Sequence, residues 1–148
     1  MPRHLIDVNV FLAATVEAHV HHFQAKRWVD SVELPSTIGF CRTTEMACLR
    51  LLTQSLTEGF RPLNNRDAAA VYLAWRRDDR VEFITEPPGL EALWPRLGLR
   101  DTRSPKLWTD AYLAAFATAG AFRMVTFDAA FRQFETSGLD LLLLDSGS

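Results

Sequence analysis

Apolar runs and amphipathic segments alternate along the whole of this chain. Runs of strand-forming residues, closed by proline, glycine or charge, predict strands at His4–Ile6, Val32–Pro35, Val81–Thr85, Phe122–Phe127 and Leu139–Leu144. Apolar residues spaced three and four apart predict helices at Val20–Asp30, Thr37–Thr53, Arg66–Arg76, Leu90–Leu97, Pro105–Gly120 and Ala129–Glu135. Strands that alternate with helices favour the α/β class, with a mainly parallel sheet flanked by helices on both faces.

Length and composition are those of an ordinary globular protein. The 148 residues suit one domain spanning residues 1–148, and 48% of them are hydrophobic. The formal net charge of -2 differs from the strongly basic balance of a simple nucleic-acid binder. It does not exclude an RNA enzyme, because acidic residues gathered in one site would mask basic residues elsewhere.

The two cysteines and the N-terminal segment indicate the compartment. Cys41 and Cys48 fall in one predicted helix, roughly 10 Å apart along its axis, which is too far for a disulfide. Free thiols suit a reducing cytosol. The first residues include Asp7 and Glu17 and do not read as a signal peptide, and no segment has the ~20 apolar residues of a membrane span. We therefore expect a cytoplasmic protein.

Four acidic residues occupy strand ends or inward helix faces, where a carboxylate adds little to the stability of the fold. Asp7 and Asp128 directly follow predicted strands, and ligands of parallel sheets gather at the carboxyl ends of strands. Glu45 and Asp110 lie at positions of predicted helices that share a face with apolar neighbours. A carboxylate on an inward face is costly unless it is paired or binds a metal, and such violations tend to mark functional sites.

Together these carboxylates predict a divalent-metal site. Hard oxygen ligands select Mg²⁺ or Mn²⁺ over zinc, and such ions can activate water for phosphodiester hydrolysis. Asn9, two residues after Asp7, and Thr126, two before Asp128, are candidate supporting residues. Thr126 could hydrogen-bond a carboxylate, or it could simply be a strand-forming residue.

Each acid also has a purely structural interpretation. Asp7 and Asp128 could cap the helices that follow them. Glu45 could pair with Arg42 or Arg50, and Asp110 with Lys106. Only the joint placement of the four acids favours the catalytic interpretation.

Other residues near the acids could contact RNA. Basic candidates close to Glu45 or Asp110 in sequence are Arg42, Arg50, Arg103 and Lys106, whereas Arg76 reads as a surface residue. Trp94 and Trp108 could stack on unpaired bases, although core packing is the commoner role. A group of histidines before Trp28 could bind a transition metal, but a polar cap or dimer contact is the more ordinary role; it comprises His19, His21 and His22.

The segments around the four acids resemble one known family. LIDVNVFLA around Asp7, TTEMACLRLLT around Glu45, LWTDAYLAAFA around Asp110 and MVTFDAAF around Asp128 are similar to motifs of PIN-domain ribonucleases. Within that family they resemble the VapC toxins of bacterial toxin–antitoxin pairs, over nearly the whole chain. The pair TDAYLAAFA and VTFDAAF, at this separation, is the most specific part.

The resemblance implies a complete functional description. It implies a PIN fold with a parallel five-stranded sheet, and Mg²⁺- or Mn²⁺-dependent endoribonuclease activity. Asp7, Glu45, Asp110 and Asp128 match the acidic quartet of the family, three of them (Asp7, Asp110 and Asp128) as metal ligands, and Asn9 and Thr126 match supporting positions. It also implies a homodimer and a small VapB-type antitoxin that inserts a segment into the acidic groove.

Two other functions compete with the ribonuclease. A phosphatase of the haloacid-dehalogenase type would use Asp7 as a covalent nucleophile, but it usually wants a second aspartate where this chain has Asn9. A non-catalytic receiver or RNA-binding module would use the acids structurally and would bind no divalent metal.

Overall fold

A parallel sheet of five strands forms the centre of the computed structural model, which describes residues 2–145. The ends of the expected 1–148 domain, residue 1 and residues 146–148, lie outside the described range. The strands are β1 (Arg3–Ile6), β2 (Thr37–Phe40), β3 (Val81–Phe83), β4 (Arg123–Thr126) and β5 (Asp140–Leu143). Their order in the sheet is β3-β2-β1-β4-β5, and every neighbouring pair is parallel. This confirms the predicted α/β class and the five-stranded sheet.

Helices connect the strands. They are α1 (Val8–Thr15), α2 (His22–Ser31), α3 (Arg42–Leu52), α4 (Asn65–Arg76), α5 (Leu90–Gly98) and α6 (Pro105–Ala119), followed by a 3₁₀ helix at Ala129–Ser137. The predicted starts of α5 and α6 are correct, and Pro105 occupies the first turn of α6. The sequence predicts Asn65 as the cap of a helix from Arg66, but α4 begins one residue earlier, because the Asn64 side chain accepts from the backbone N–H of Asp67 at 2.8 Å.

The prediction of one helix over Thr37–Thr53 was wrong at its start, because Thr37–Phe40 is strand β2 and α3 begins only at Arg42. Ile38 and Phe40 are fully buried in the sheet, so the strand lacks the alternation of polar and apolar residues that would reveal it. Gly39 allows close packing there, since a Cβ at this position would lie 2.6 Å from the His4 carbonyl oxygen.

Two further sequence predictions fail nearby. Val32–Pro35 is not a strand; helix α2 ends at Ser31 and the chain turns before β2. Helix α1 was considered only as a helix that Asp7 could cap, and its extent was not predicted; five of its eight residues are buried, and a helix that is apolar on most sides shows no amphipathic period.

Two hydrophobic cores cover the two faces of the sheet. Helices α1 to α4 pack on one face, around Phe11, Ile38 and Phe40. Helices α5 and α6 and the 3₁₀ helix pack on the other, around Phe116 and Met124. Both cysteines are free and buried, as small core residues.

The strand order places the site. From β1 the chain proceeds outward to β2 and β3, and then returns to add β4 on the other side of β1. The order therefore reverses between β1 and β4, and open α/β sheets bind ligands outside the carboxyl ends of the strands at such a reversal. Asp7 and Asp128 follow those two strands. No helix within residues 2–145 is long and apolar enough to cross a membrane.

Candidate active site

Three of the four predicted acids line one pocket of about 340 Å³ at the carboxyl end of the sheet. Asp7 comes from the β1–α1 junction, Asp110 from the second turn of α6, and Asp128 from the β4–3₁₀ junction. Residues from α3, among them Thr43 and Thr44, close the opposite wall. Stretches more than 100 residues apart in sequence thus bring their carboxylates to a common hollow.

Like Asp110, and unlike the half-buried Asp128, Asp7 is buried, with 9% of its surface exposed. One carboxylate oxygen accepts from the Val8 backbone N–H at 2.8 Å, and the other accepts from the Thr126 hydroxyl at 2.8 Å. Burial is the main reason that the pKa of Asp7 rises to about 6. Hydrogen bonds from Thr126 and Val8 oppose the rise, and the negative charges of Asp110 and Asp128 add to it.

Asn9 and Thr126 connect the acids. The Asn9 amide nitrogen donates to Thr126 Oγ1 at 3.2 Å and to Asp7 Oδ2 at 3.3 Å. Thr126 Oγ1 also accepts from the backbone N–H of Asp128 at 3.0 Å. The fully buried Thr126 therefore bonds Asp7 with its hydroxyl proton and orients the start of the Asp128 turn.

Lys106 lies between the other two acids. Its Nζ is 2.7 Å from Asp110 Oδ2 and 2.6 Å from Asp128 Oδ2. Desolvation acts to lower the pKa of Lys106, but its hydrogen bonds to the two carboxylates outweigh that effect and raise the pKa to about 12. The same bond from Lys106 lowers the pKa of Asp128. The pairing with Asp110 follows the expected four-residue spacing, whereas Asp128 is 22 residues away and no sequence signal indicated it.

Glu45 is outside this pocket. Its carboxylate pairs with Arg42, three residues earlier, and lies 3.5 Å from an Arg76 guanidinium nitrogen. Three of the four predicted acids therefore line this pocket, whereas the Glu45 side chain points from α3 towards α4, where cations compensate its charge. The place of Glu45 in the catalytic set stays a prediction. Arg76, which read as a surface residue, also packs over the rings of Tyr72 and Phe83. Glu45 and Arg76 are 31 residues apart, so no spacing rule could have found the pair.

The three carboxylates are suitable ligands for a divalent ion, but in this structure they are too far apart to bind one together. Among residues 2–145, no three histidine, cysteine, aspartate or glutamate side chains are close enough to hold a metal ion. The three carboxylates of the pocket nevertheless offer only oxygen ligands, and two of them already converge on the positive charge of Lys106. The Lys106 ammonium therefore marks a position between Asp110 and Asp128 where a hard cation such as Mg²⁺ would be stabilised.

Further candidates for RNA contact line two other clefts, one with Arg42, Trp94 and Trp108 and one with Arg103. Arg42 is held by Glu45 and packs over the Phe83 ring at 4.6 Å. Arg103 is exposed in the loop before α6, beside a depression that includes Arg100. Trp94 is half-buried against the core, as core packing predicts, but Trp108 is 47% exposed.

The three histidines make structural contacts around the α1–α2 connection. The His22 ring donates from Nδ1 to the Ala13 carbonyl at 2.8 Å, and His19 Nδ1 accepts from the His21 backbone N–H at 3.0 Å. His21 stacks on the Phe127 ring at 4.9 Å. The structural role agrees with these contacts, and within residues 2–145 no metal-binding group includes these side chains.

A comparison with protein families matches residues 4–136 of the chain to the PIN domain, and this range includes all three acids of the pocket. The chain belongs to the PIN-domain family. This PIN domain is 45% identical to ribonuclease VapC41 of Mycobacterium tuberculosis over 144 residues, which cover 95% of this chain and 97% of that relative. It is 30% identical to ribonuclease VapC39 of the same organism over 138 residues, covering 91% and 95%. Within the family it is therefore related to the VapC proteins.

Solved structures agree on the fold. VapBC2 from Rickettsia felis, crystallised with a promoter DNA fragment, superposes with a TM-score of 0.69 at 15% identity and covers 96% of this PIN domain and 98% of that chain. VapC20 of Mycobacterium tuberculosis, described as a toxin that cleaves the sarcin–ricin loop, gives 0.65 at 20% identity, covering 91% and 95%. These similarities support the PIN fold; the phosphatase alternative is wrong, because this PIN domain belongs to a different family.

Asp7, Asp110 and Asp128 also have the structural roles, helix capping and ion pairing, that their sequence positions predicted. Asp7 accepts from the N-terminal N–H of α1, Asp128 accepts from the Ala130 N–H at 2.9 Å, and Asp110 pairs with Lys106. Capping and pairing hold each carboxylate in place, and a site that depends on position needs such support.

Proposed function

We propose that this PIN domain is the toxin endoribonuclease of a type II toxin–antitoxin pair and hydrolyses RNA phosphodiester bonds with Mg²⁺ or Mn²⁺. The observation that carries the proposal is the convergence of Asp7, Asp110 and Asp128 on one pocket, around a positive charge. The relatives named as ribonucleases, similar over almost their full length, support the same assignment.

Asp7, Asp110 and Asp128 would hold the metal. When bound, a divalent ion would supply Lewis acidity, a lowered pKa of water and compensation of charge on the leaving oxygen. Asn9 and Thr126 fix the Asp7 carboxylate through the bonds described above, so that one acid is oriented before substrate arrives. Lys106 compensates the acids in the free protein, and on release from them it can pair with a substrate phosphate.

Glu45 acts at one remove from the reacting atoms in this proposal. It holds Arg42 and Arg76 at the side of the pocket, where their charge offsets the repulsion between the acids and the RNA backbone. Arg42, Arg103 and Lys106 are the basic residues that we assign to RNA contact.

The partners follow from the same assignment. Several solved relatives are VapB–VapC or FitA–FitB complexes, which supports a cognate VapB-type antitoxin for this protein. An antitoxin cation could occupy the position of Lys106 between Asp110 and Asp128. We further propose a cytoplasmic homodimer in which residues 1–148 form one PIN domain.

Titration with MnCl₂ tests the metal directly. We expect calorimetry to show Mn²⁺ binding to the wild-type protein and no binding to Asp110→Asn, because the variant lacks one of three anionic ligands. EDTA should stop RNA cleavage, and added Mg²⁺ or Mn²⁺ should restore it. Undiminished cleavage in EDTA, or no Mn²⁺ binding by the wild type, would contradict the proposal in favour of a non-catalytic module or a metal-free nuclease.

Glu45→Gln separates the role of Glu45 from that of the metal ligands. We expect cleavage to fall by roughly tenfold or less, mainly through a raised KM, because Arg42 and Arg76 lose an anchor while the pocket stays intact. Steady-state kinetics on a fluorogenic RNA would measure the change, with Asp67→Asn on the exposed side of α4 as the control. A loss in kcat as large as that of Asp110→Asn would return Glu45 to the metal centre.

A further inference from the structure

An aromatic groove adjoins the acidic pocket. We use this name for the cleft of about 420 Å³ formed by Arg42, Glu86, Trp94, Trp108 and Tyr112. Thr43 and Thr109 line both the groove and the acidic pocket, so the two form one continuous surface. Any molecule bound at the three acids can therefore extend into the aromatic groove.

The groove presents an exposed ring that the fold holds in place. Trp108 is 47% exposed, yet its ring lies against the end of α5, where Gly98 makes room; a Cβ on Gly98 would come within 2.8 Å of that ring. The Trp94 indole N–H donates to the Trp108 carbonyl at 3.0 Å, and the Trp94 ring meets the edges of Trp108 and Tyr112. An exposed indole held this firmly binds a flat ligand at little entropic cost.

Charged groups flank the rings. Arg42 stands on the side of the groove nearest α3, where it can contact a phosphate. Glu86 is exposed, and the Tyr112 hydroxyl donates to its Oε2 at 2.7 Å. That bond orients the carboxylate and leaves Oε1 and the second lone pair of Oε2 able to accept from a ligand. A ligand that offers a flat ring, adjacent N–H donors and a phosphate satisfies the whole groove.

We propose that the aromatic groove binds an unpaired base of the RNA next to the scissile phosphate, with the base stacked on Trp108 and Glu86 favouring guanine. Guanine presents two adjacent N–H donors on its Watson–Crick edge, which a carboxylate can accept together, whereas adenine and cytosine present one amino group there. This inference rests on the proposed function and names the substrate: single-stranded RNA or a loop with an unstacked guanine beside the cleaved bond.

Binding of short RNA without cleavage tests the stacking. Fluorescein-labelled oligouridine with one central guanine would be titrated with protein in EDTA, and anisotropy would give the Kd. We expect Trp108→Ala to weaken binding by roughly five- to a hundredfold, the range for loss of one stacked base, and Trp108→Phe to retain most of the affinity. Phe23→Ala is the matched control, since Phe23 is 70% exposed on α2 and lies outside both clefts.

A double-mutant cycle links the ring to the base. Replacing the guanine by an abasic nucleotide should weaken binding to the wild type by at least that factor and should weaken binding to Trp108→Ala much less, because only the contact with Glu86 is then left to lose. Independent, additive losses would overturn the stacking. A Trp108→Ala protein that binds RNA normally but elutes as a smaller species than the wild type would also overturn it, and would assign Trp108 to a protein interface.

Base substitution tests Glu86 separately. We expect guanine to bind more tightly than inosine, which lacks the 2-amino group, and more tightly than adenine, and we expect Glu86→Gln to remove this preference. Equal affinities in the wild type would overturn the part assigned to Glu86. Failure of the proposed function is distinguishable, because in that case the wild type would not cleave RNA with Mn²⁺, whether or not it binds RNA in EDTA, whereas failure of this inference alone leaves cleavage intact.

Discussion

Asp110→Asn should lower RNA cleavage by roughly a thousandfold or more while leaving the fold intact. Asp110 is buried in the pocket, and its carboxylate shares the Lys106 ammonium with Asp128. The amide has the same shape but no charge, so the site loses a metal ligand and part of the electrostatic stabilisation of the transition state. Losses of a single preorganised electrostatic group in active sites commonly reach 10²–10³-fold, and loss of the ion itself would cost more.

The stability of the same variant distinguishes a catalytic loss from a structural one. Lys106 is 65% exposed, so breaking its pair with Asp110 should change the free energy of unfolding by less than about 1 kcal/mol. Urea unfolding and a cleavage time course on the same preparation measure both quantities. Asp67→Asn, the same substitution on an exposed face of α4, should leave both unchanged. Cleavage by Asp110→Asn within tenfold of the wild type would rule out the metal site at these acids.

Asp7→Asn should abolish cleavage to a similar extent and yet make the metal-free protein more stable at pH 7. Burial and the neighbouring acids raise the pKa of Asp7 from 3.8 to about 6, so the folded protein carries a costly negative charge at neutral pH. A rise of that size corresponds to roughly 3 kcal/mol. A weaker hydrogen bond from Thr126 to the amide returns about 1 kcal/mol of this, which leaves an expected gain of ~1–2 kcal/mol.

The gain should depend on pH with a definite sign. Above pH 6 the folded state keeps Asp7 ionised and the penalty is present in full. As the pH falls from about 6 to about 4, Asp7 is protonated in the folded state but not yet in the unfolded state, so the wild type loses its disadvantage. Below pH 3.8 both states are protonated, and the two proteins should differ by the hydrogen-bond change alone.

Urea unfolding in EDTA at pH 7, 5.5 and 4 measures this difference, and other titrating groups cancel between wild type and variant. Saturating Mn²⁺ should reverse the order at pH 7, because only the wild type gains from binding the ion. If Asp7→Asn is less stable than the wild type at all three pH values without metal, the buried Asp7 charge does not lower the free energy of unfolding, and the prediction is wrong.

Much of the fold could be read from the residues because its signals are local. The Asn64 cap and Pro105 mark helix starts to within a residue, and the strand before Asp128 is bounded by Gly120 and the acid itself. The extent of helix α1, which was considered only as a helix that Asp7 could cap, and the whole of strand β2 escaped prediction for one reason. Both are buried on nearly all sides, and the periodicity that reveals an element arises only when one of its faces meets water.

The candidate site divides in the same way. Asp7 and Asp128 could be placed together from the rule that parallel strands end at one edge, and the capping and pairing of single acids follow from short spacings. Asp110 joined the set because it shares a helix face with apolar neighbours, and the family motifs agreed with that choice. No such rule relates Glu45 to Arg76 on α4, or Lys106 to Asp128 beyond the sheet edge.

By itself, then, the sequence determined the α/β class, the family and the acids that would act, since apolar periodicity, turn residues and motif spacing are properties of neighbouring residues. Only the tertiary structure shows that Glu45 pairs with Arg42 and Arg76, that Lys106 lies between Asp110 and Asp128, and that a tryptophan-lined cleft adjoins their pocket. Those facts depend on side chains from distant segments meeting across the sheet edge, and long-range charge compensation leaves no periodic trace in the chain.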